Sequence, residues 1–200
     1  GMVVEEQAAK VQASAADSLR QAQMAQEPPP PLYDKFDYSI QLGSFRYLPQ
    51  AIKARDALTG SGFGEVYVVP LELDSLGTWN RLYIGMYHTQ EQCDTALVAM
   101  QNSMRRAGAT VKLHGEAISR RTPLTLKLGE SASLASFDSL RTRLEKNNIT
   151  TYLVKLSADS TAAPVYRLYS GAFEYKEQAI HLRNQIFNLG IRAEIIEREG

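Results

Sequence analysis

The sequence predicts an α+β chain of two tandem domains, each a four-stranded antiparallel sheet with two helices on one face. Three observations lead there. First, the run Trp79-Asn80-Arg81-Leu82-Tyr83-Ile84-Gly85 returns as Val165-Tyr166-Arg167-Leu168-Tyr169-Ser170-Gly171, with the shared Arg, Tyr and Gly all offset by 86 residues (167 − 81). Second, the same offset relates Leu42-Gly43 to Leu128-Gly129, Leu58 to Leu144 and Gln92 to Gln178. One offset at several landmarks is an internal duplication, and a unit of that size suits a small domain better than a solenoid repeat. Third, the apolar pattern switches between a period of two and a helical period in the same order in both copies.

In the first copy, Tyr38 to Phe45 reads as a strand, with Ile40 and Leu42 on one face and Ser39 and Gln41 on the other. A helix follows from Pro49, which suits a first helical turn, to Thr59. It carries Ala51, Ala54 and Leu58 on its buried stripe and stops at Gly60-Ser61-Gly62. Glu65 to Pro70 is a second strand, and Leu71 to Gly77 turns the chain into a third, Trp79 to Met86. Strict alternation there puts Leu82, Ile84 and Met86 on one face and Trp79, Arg81 and Tyr83 on the other. Gln90 to Arg106 is a helix with Cys93, Ala96, Leu97, Met100 and Met104 on one stripe. Ala109 to His114 is expected as the fourth strand, and 115–123 as a connection.

The second copy repeats the order. Leu124 to Leu128, Tyr152 to Leu156, Val165 to Ser170 and Ile191 to Glu197 are its strands. Phe137, Leu140 and Leu144 mark one helix; Ala179, Leu182, Ile186 and Leu189 mark the other. Each copy is therefore β-α-β-β-α-β, the ferredoxin-like order, in which right-handed crossovers place both helices on one sheet face. The other face is left for a ligand or a neighbour.

Ahead of the duplication, residues 3–27 are rich in Ala, Gln and Glu without Gly or Pro, and favour a helix. Its stripe is mostly Ala and buries little, so it is marginal alone. Pro28 to Pro31 form a stiff spacer. The expected division is an Ala-rich helical segment and Pro-rich linker over 1–35, a first domain over 36–115 and a second, diverged domain over 116–200. Gly1-Met2 reads as an expression scar, so a native signal or anchor is expected to have been removed.

Lys plus Arg is 22 and Asp plus Glu is 22, a net charge of zero. That argues against bulk binding of a phosphate backbone and leaves a glycan open. One cysteine, Cys93, excludes an intramolecular disulfide and a multi-thiolate metal site. No apolar run reaches the roughly 20 residues of a membrane span. His88, His114 and His181 show no metal spacing. No nucleophile elbow, Walker loop or dinucleotide turn appears. No catalytic residue, metal ligand or cofactor is expected, and the chain reads as a binding module.

On the face opposite the first core, periodicity collects Ser39, Gln41, Trp79, Arg81 and Tyr83. Trp can lie on a sugar ring, while Gln and Arg meet hydroxyl, acetamido or carboxylate groups. Burial of Trp79 under the second domain or the linker is an equal alternative from pattern alone.

YSIQLGSF, the small-residue helix after it and the later WNRLYIG before a second helix resemble the SPOR domain, the sporulation-related repeat of bacterial cell-envelope proteins. The match is close over about 36–115 and diverged over about 120–199. The resemblance implies a non-catalytic module that binds septal peptidoglycan, on glycan strands stripped of stem peptides, and localises a protein to the division site. It also implies a periplasmic or cell-envelope location and cell-division or envelope proteins as further partners. It gives roles to Gln41 and Ser44 on the first strand and to Trp79 and Arg81 on the third; Tyr83 joins them by its place on the face. In copy two, Lys127, Glu130 and Val165 replace Gln41, Ser44 and Trp79, and only Arg167 persists. Protein–protein scaffolding is the alternative function, above all for copy two. An RNA-binding sheet or a small-molecule regulatory module is less favoured: the chain is neutral, and the Gln, Trp and Arg set supports neither.

Overall fold

The computed structural model describes residues 34–106, 113, 115–156 and 163–200. The Ala-rich helix and proline run expected over 3–31 lie outside the described residues. Both copies fall within one compact unit.

Repeat 1 contains β1 (Tyr38–Phe45), α1 (Leu48–Gly60), β2 (Val66–Leu73), a 3₁₀ turn (Asp74–Leu76), β3 (Gly77–Tyr87), α2 (Gln90–Arg106) and β4 (Ile118–Arg121). Repeat 2 contains β5 (Leu124–Ser131), a 3₁₀ turn (Leu134–Phe137), α3 (Asp138–Glu145), β6 (Tyr152–Leu156), β7 (Val165–Phe173), α4 (Lys176–Asn188) and β8 (Glu194–Glu197). The sheets run β2-β3-β1-β4 and β6-β7-β5-β8, antiparallel throughout. This is the ferredoxin-like α+β order in tandem. The strand read over 109–114 lies almost wholly outside the described residues. β4 sits instead within the stretch taken for a connection, where Ser39 pairs with Arg120 and Gln41 with Ile118. Its Ile-Ser-Arg-Arg sequence has too little apolar alternation to announce a strand.

Strand register repeats with the sequence offset. Gln41 pairs with Tyr83 and Gly43 with Leu82; Lys127 pairs with Tyr169 and Gly129 with Leu168. Both sheets therefore share a bulge in the first strand, and both have a second register shift at the glycine of the third. Gly85 and Gly171 sit there with φ +74° and +77°, a left-handed conformation that glycine adopts at little cost. The extra residue reverses the alternation beyond it. Met86, expected beside Leu82 and Ile84, packs instead with Tyr67 and Tyr83, while Tyr87 joins the helix-side core.

The duplicated glutamines have a matching local role. Gln92 Oε1 accepts the His88 backbone N–H at 3.2 Å, and Gln178 Oε1 accepts that of Glu174 at 3.0 Å. Each ties the chain entering a helix to that helix's first turn, where backbone donors lack intrahelical partners.

Ile40, Leu42, Phe45, Ala51, Ala54, Leu58, Val66, Val68, Leu82 and Cys93 form the core between α1, α2 and the first sheet. A second core belongs mainly to repeat 2, with Leu126, Leu144, Phe173, Leu182 and Ile186 among its members, but it also takes Tyr67, Val69, Leu71 and Tyr83 from repeat 1. β2 is thus buried on both faces. Val66 and Val68 face its own helices; Tyr67, Val69 and Leu71 face repeat 2. This explains its near-continuous apolar sequence.

Candidate functional site

β1 and β3 lie side by side in the first sheet and align the expected residues in two rungs. Gln41 pairs with Tyr83, and Ser44 with Arg81. Trp79 lies two residues before Arg81, opposite Leu71 of β2. The structure therefore brings Gln41, Ser44, Trp79, Arg81 and Tyr83 together on neighbouring strands. Their exposure divides them. Ser44, Trp79 and Arg81 are half-buried, Gln41 is 8% exposed and Tyr83 only 1% exposed.

Tyr83 is thus a packing residue on this face. Its ring lies 6.0 Å from that of Tyr67 and joins the core shared with repeat 2. Burial pushes its hydroxyl pKa up, against the opposing pull of Arg81 and Arg120. The face expected to be open is covered along its β2 edge by repeat 2. The strip left over β1, β3 and β4 carries Gln41, Ser44, Trp79, Arg81 and Arg120.

Two atoms of the expected set are enclosed without a hydrogen-bond partner among the described residues: Gln41 Oε1 and Trp79 Nε1. An enclosed polar atom left unpaired costs about 1–3 kcal/mol. Arg120 Nε is unpartnered too. No carboxylate pairs with Arg81 among the described residues; its charge acts on the Tyr83 hydroxyl.

Arg46, not singled out from the sequence, belongs beside Trp79. Its guanidinium lies 5.8 Å from the centre of the indole ring, within cation–π range, and Nη1 donates to the Leu76 carbonyl. Together with Ser44, Tyr47 and Gln50 these residues line a shallow cleft of about 450 Å³ at the β1–α1 turn. Arg46 sits just past a strand, where the period-of-two argument ends. Arg120 was missed because β4 was.

At the equivalent place in repeat 2 the chemistry is closed on itself. Arg167 donates through Nε to Glu130 Oε2 and through Nη1 to Glu199 Oε2, both at 2.6 Å. Lys127 lies 3.6 Å from the same Glu130 carboxylate. Arg167 holds the Glu130 pKa below its ordinary value.

The repeats are joined beside the site. Tyr67 stacks on Tyr152 with centroids 4.4 Å apart. Thr150 Oγ1 donates to the Val68 carbonyl at 3.0 Å and accepts the Val68 N–H at 2.8 Å, completing an edge-strand residue with a side chain. Arg198, fully buried, donates to Ser39 Oγ at 2.8 Å, Tyr67 OH at 3.3 Å and Thr122 Oγ1 at 2.6 Å. Its partners are hydroxyls rather than a carboxylate.

No group of His, Cys, Asp and Glu among the described residues is arranged to hold a metal ion. No described helix is long and apolar enough to cross a membrane.

Comparison with known proteins adds the following. No curated protein matches the chain significantly. Among solved structures, a proposed glycine cleavage system transcriptional repressor matches over 83% of this chain and 98% of its own, at 10% identity and a TM-score of 0.22. An unknown protein from Galdieria sulphuraria matches over 84% and 99%, at 16% identity and a TM-score of 0.20. Scores that low leave both likenesses without weight for fold or function. The sequence model of the SPOR domain, by contrast, matches residues 34–112 and again 121–197. The repeated register, the shared glycine bulges and this double match make one statement: the chain belongs to the SPOR domain family of peptidoglycan-binding modules, in two tandem copies.

Proposed function

We propose that repeat 1 binds peptidoglycan glycan strands stripped of stem peptides and so recruits a cell-envelope protein to the division septum. Repeat 2 braces that site without binding glycan on its own sheet. The observation that carries this reading is the contrast between two equivalent arginines. Arg81 lacks a carboxylate partner among the described residues and lies near the unpaired Gln41 Oε1 and Trp79 Nε1. Arg167 is engaged by Glu130 and Glu199. A sugar carboxylate can take the place beside Arg81 that Glu130 and Glu199 take beside Arg167. Trp79 supplies the face for a pyranose ring, while Gln41 and Ser44 supply polar contacts. Tyr83 acts from beneath as support. The periplasm or cell envelope is the location that goes with this ligand, and division or envelope proteins are its further partners.

Scaffolding, the competing reading, is favoured for repeat 2 by its packing on β2. The test is co-sedimentation of the full chain with sacculi, intact and amidase-treated. Treated sacculi should pellet more protein. Trp79→Ala should lose a stacking contact worth about 1 kcal/mol, a several-fold fall in affinity. Arg81→Ala should weaken binding and its salt dependence together. Equal pelleting of parent and Trp79→Ala, or no preference for treated sacculi, would remove the proposal in favour of scaffolding.

A further inference from the structure

A second cleft, of about 530 Å³, lies between the repeats. Its lining includes Val68 and Pro70 of repeat 1 and Asn148, Leu182, Gln185 and Asn188 of repeat 2. Arg46 and Tyr47 line both this cleft and the shallow one that holds Trp79. The two clefts therefore share a rim, of which Tyr47 is 65% exposed.

The lining has a definite chemistry. Arg46 is its one cation, already committed to the Leu76 carbonyl and the Trp79 ring, and the cleft has no carboxylate. A charged group seated in the cleft itself would find no free counter-charge. What the cleft offers is side-chain amides, an aromatic ring at the rim and several apolar side chains. Amides both donate and accept, as sugar hydroxyl and acetamido groups require, and an exposed tyrosine ring offers an apolar face with a polar tip. Asn148 and Asn188 are exposed, with no side-chain hydrogen bond among the described residues; Gln185 is bound to His181 at 3.0 Å. The volume is within the range of small-ligand sites, about 300–1,000 Å³.

We infer that this cleft is an extension subsite for an uncharged sugar of the strand, built jointly by both repeats, with the carboxylate-bearing sugar held at Arg81. A glycan strand seated at Trp79 continues over Tyr47 into it. The inference rests on the proposed glycan binding by repeat 1 and gives repeat 2 a direct part in recognition through Asn148 and Asn188 rather than through its own sheet. It also predicts a length preference: a short strand fills the Trp79 cleft alone, and a longer one fills both.

The experiment is titration of the full chain with amidase-stripped peptidoglycan oligosaccharides of graded length, followed by calorimetry or tryptophan fluorescence. The parent should bind long strands about tenfold or more tighter than the shortest strand that binds. Asn148→Gly combined with Asn188→Ala should lose that gain and leave short-strand affinity unchanged. Both residues are exposed, and glycine suits the left-handed φ of +57° at residue 148, so the variant should fold; circular dichroism and an unchanged melting temperature verify this. Trp79→Ala should weaken strands of every length. If the parent binds no strand, the glycan reading itself fails. If the parent binds all lengths alike, or the double variant keeps the gain with length, the extension subsite is overturned while the site at Trp79 stands.

Discussion

Tyr67 and Tyr152 are corresponding residues of the two repeats, and their rings stack on each other 4.4 Å apart with planes inclined by 25°. Each pairs across its sheet with a second tyrosine, Tyr67 with Tyr83 and Tyr152 with Tyr169. Each also meets a hydroxyl from its first strand. Ser39 Oγ lies 3.0 Å from Tyr67 OH, and Thr125 Oγ1 lies 3.0 Å from Tyr152 OH. Both hydroxyls also donate to the bulge glycine, Ser39 to Gly85 at 2.9 Å and Thr125 to Gly171 at 2.7 Å. The duplication has thus preserved a polar anchor under the glycine bulge and used the ring above it to fasten one copy to the other.

This contact should couple the unfolding of the two repeats. Tyr152→Ala should cost about 3–5 kcal/mol, the range for truncating a buried aromatic, and should destabilise both repeats together. Urea unfolding followed at Trp79, which reports on repeat 1 alone, is the measurement. A Trp79 transition unmoved by Tyr152→Ala would show that the repeats unfold independently.

Arg198 should be hard to replace. Removing its side chain leaves a cavity and the hydroxyls of Ser39, Tyr67 and Thr122 without their shared donor. Arg198→Ala is expected to cost about 2–5 kcal/mol. Arg198→Met refills most of the volume and removes the desolvated charge, so it should cost clearly less. Chemical denaturation of the two variants against the parent tests this order.

The bulge glycines should be intolerant of a side chain. A Cβ on Gly85 would run into the Tyr87 ring and one on Gly171 into the Phe173 ring, in each case at positive φ. Gly85→Ala and Gly171→Ala should each destabilise by about 1–3 kcal/mol from backbone strain, with the ring collision in addition. Gly60→Ala is the contrast: it has open space and no positive φ, and should be neutral or slightly stabilising. Thermal melts of the three variants settle the comparison.

The Glu130–Arg167 pair should make a small, acid-sensitive contribution. The Arg167 hydrogen bond lowers the Glu130 pKa below its ordinary 4.5. A depressed folded-state value means the contribution is complete above the unfolded pKa and is lost as pH falls through the folded one. The carboxylate is 39% exposed, so solvent screening holds the effect to about 1 kcal/mol or less. Glu130→Gln should lower stability slightly at neutral pH and reduce the further loss below pH about 4.5. Urea midpoints of parent and variant across that range provide the test, and parallel curves would contradict it.

The sequence by itself determined the duplication, the order of elements and the faces of most strands. These follow from short-range rules: a constant offset, a period of two or 3.6, and glycine or proline at the ends. Gln41, Trp79 and Arg81 could be gathered on one sheet face because β1 and β3 are central strands with strong alternation; Ser44, three residues from Gln41, was implied by the family resemblance alone and aligns with Arg81 through the β1 bulge. Three things needed the tertiary structure. The Gly85 bulge reversed the alternation and moved Met86 across the sheet, because an extra residue resets a period of two. β4 formed from Ile118–Arg121, since pairing with β1 rather than its own apolar pattern makes it a strand. Tyr83 became buried, and Arg46 and Arg120 joined the site, because burial depends on what packs above a face. Repeat 2 packs on that face through Tyr152 and Arg198, residues 69 and 115 positions from Tyr83 in the chain (152 − 83 and 198 − 83), and local periodicity carries no information over such distances.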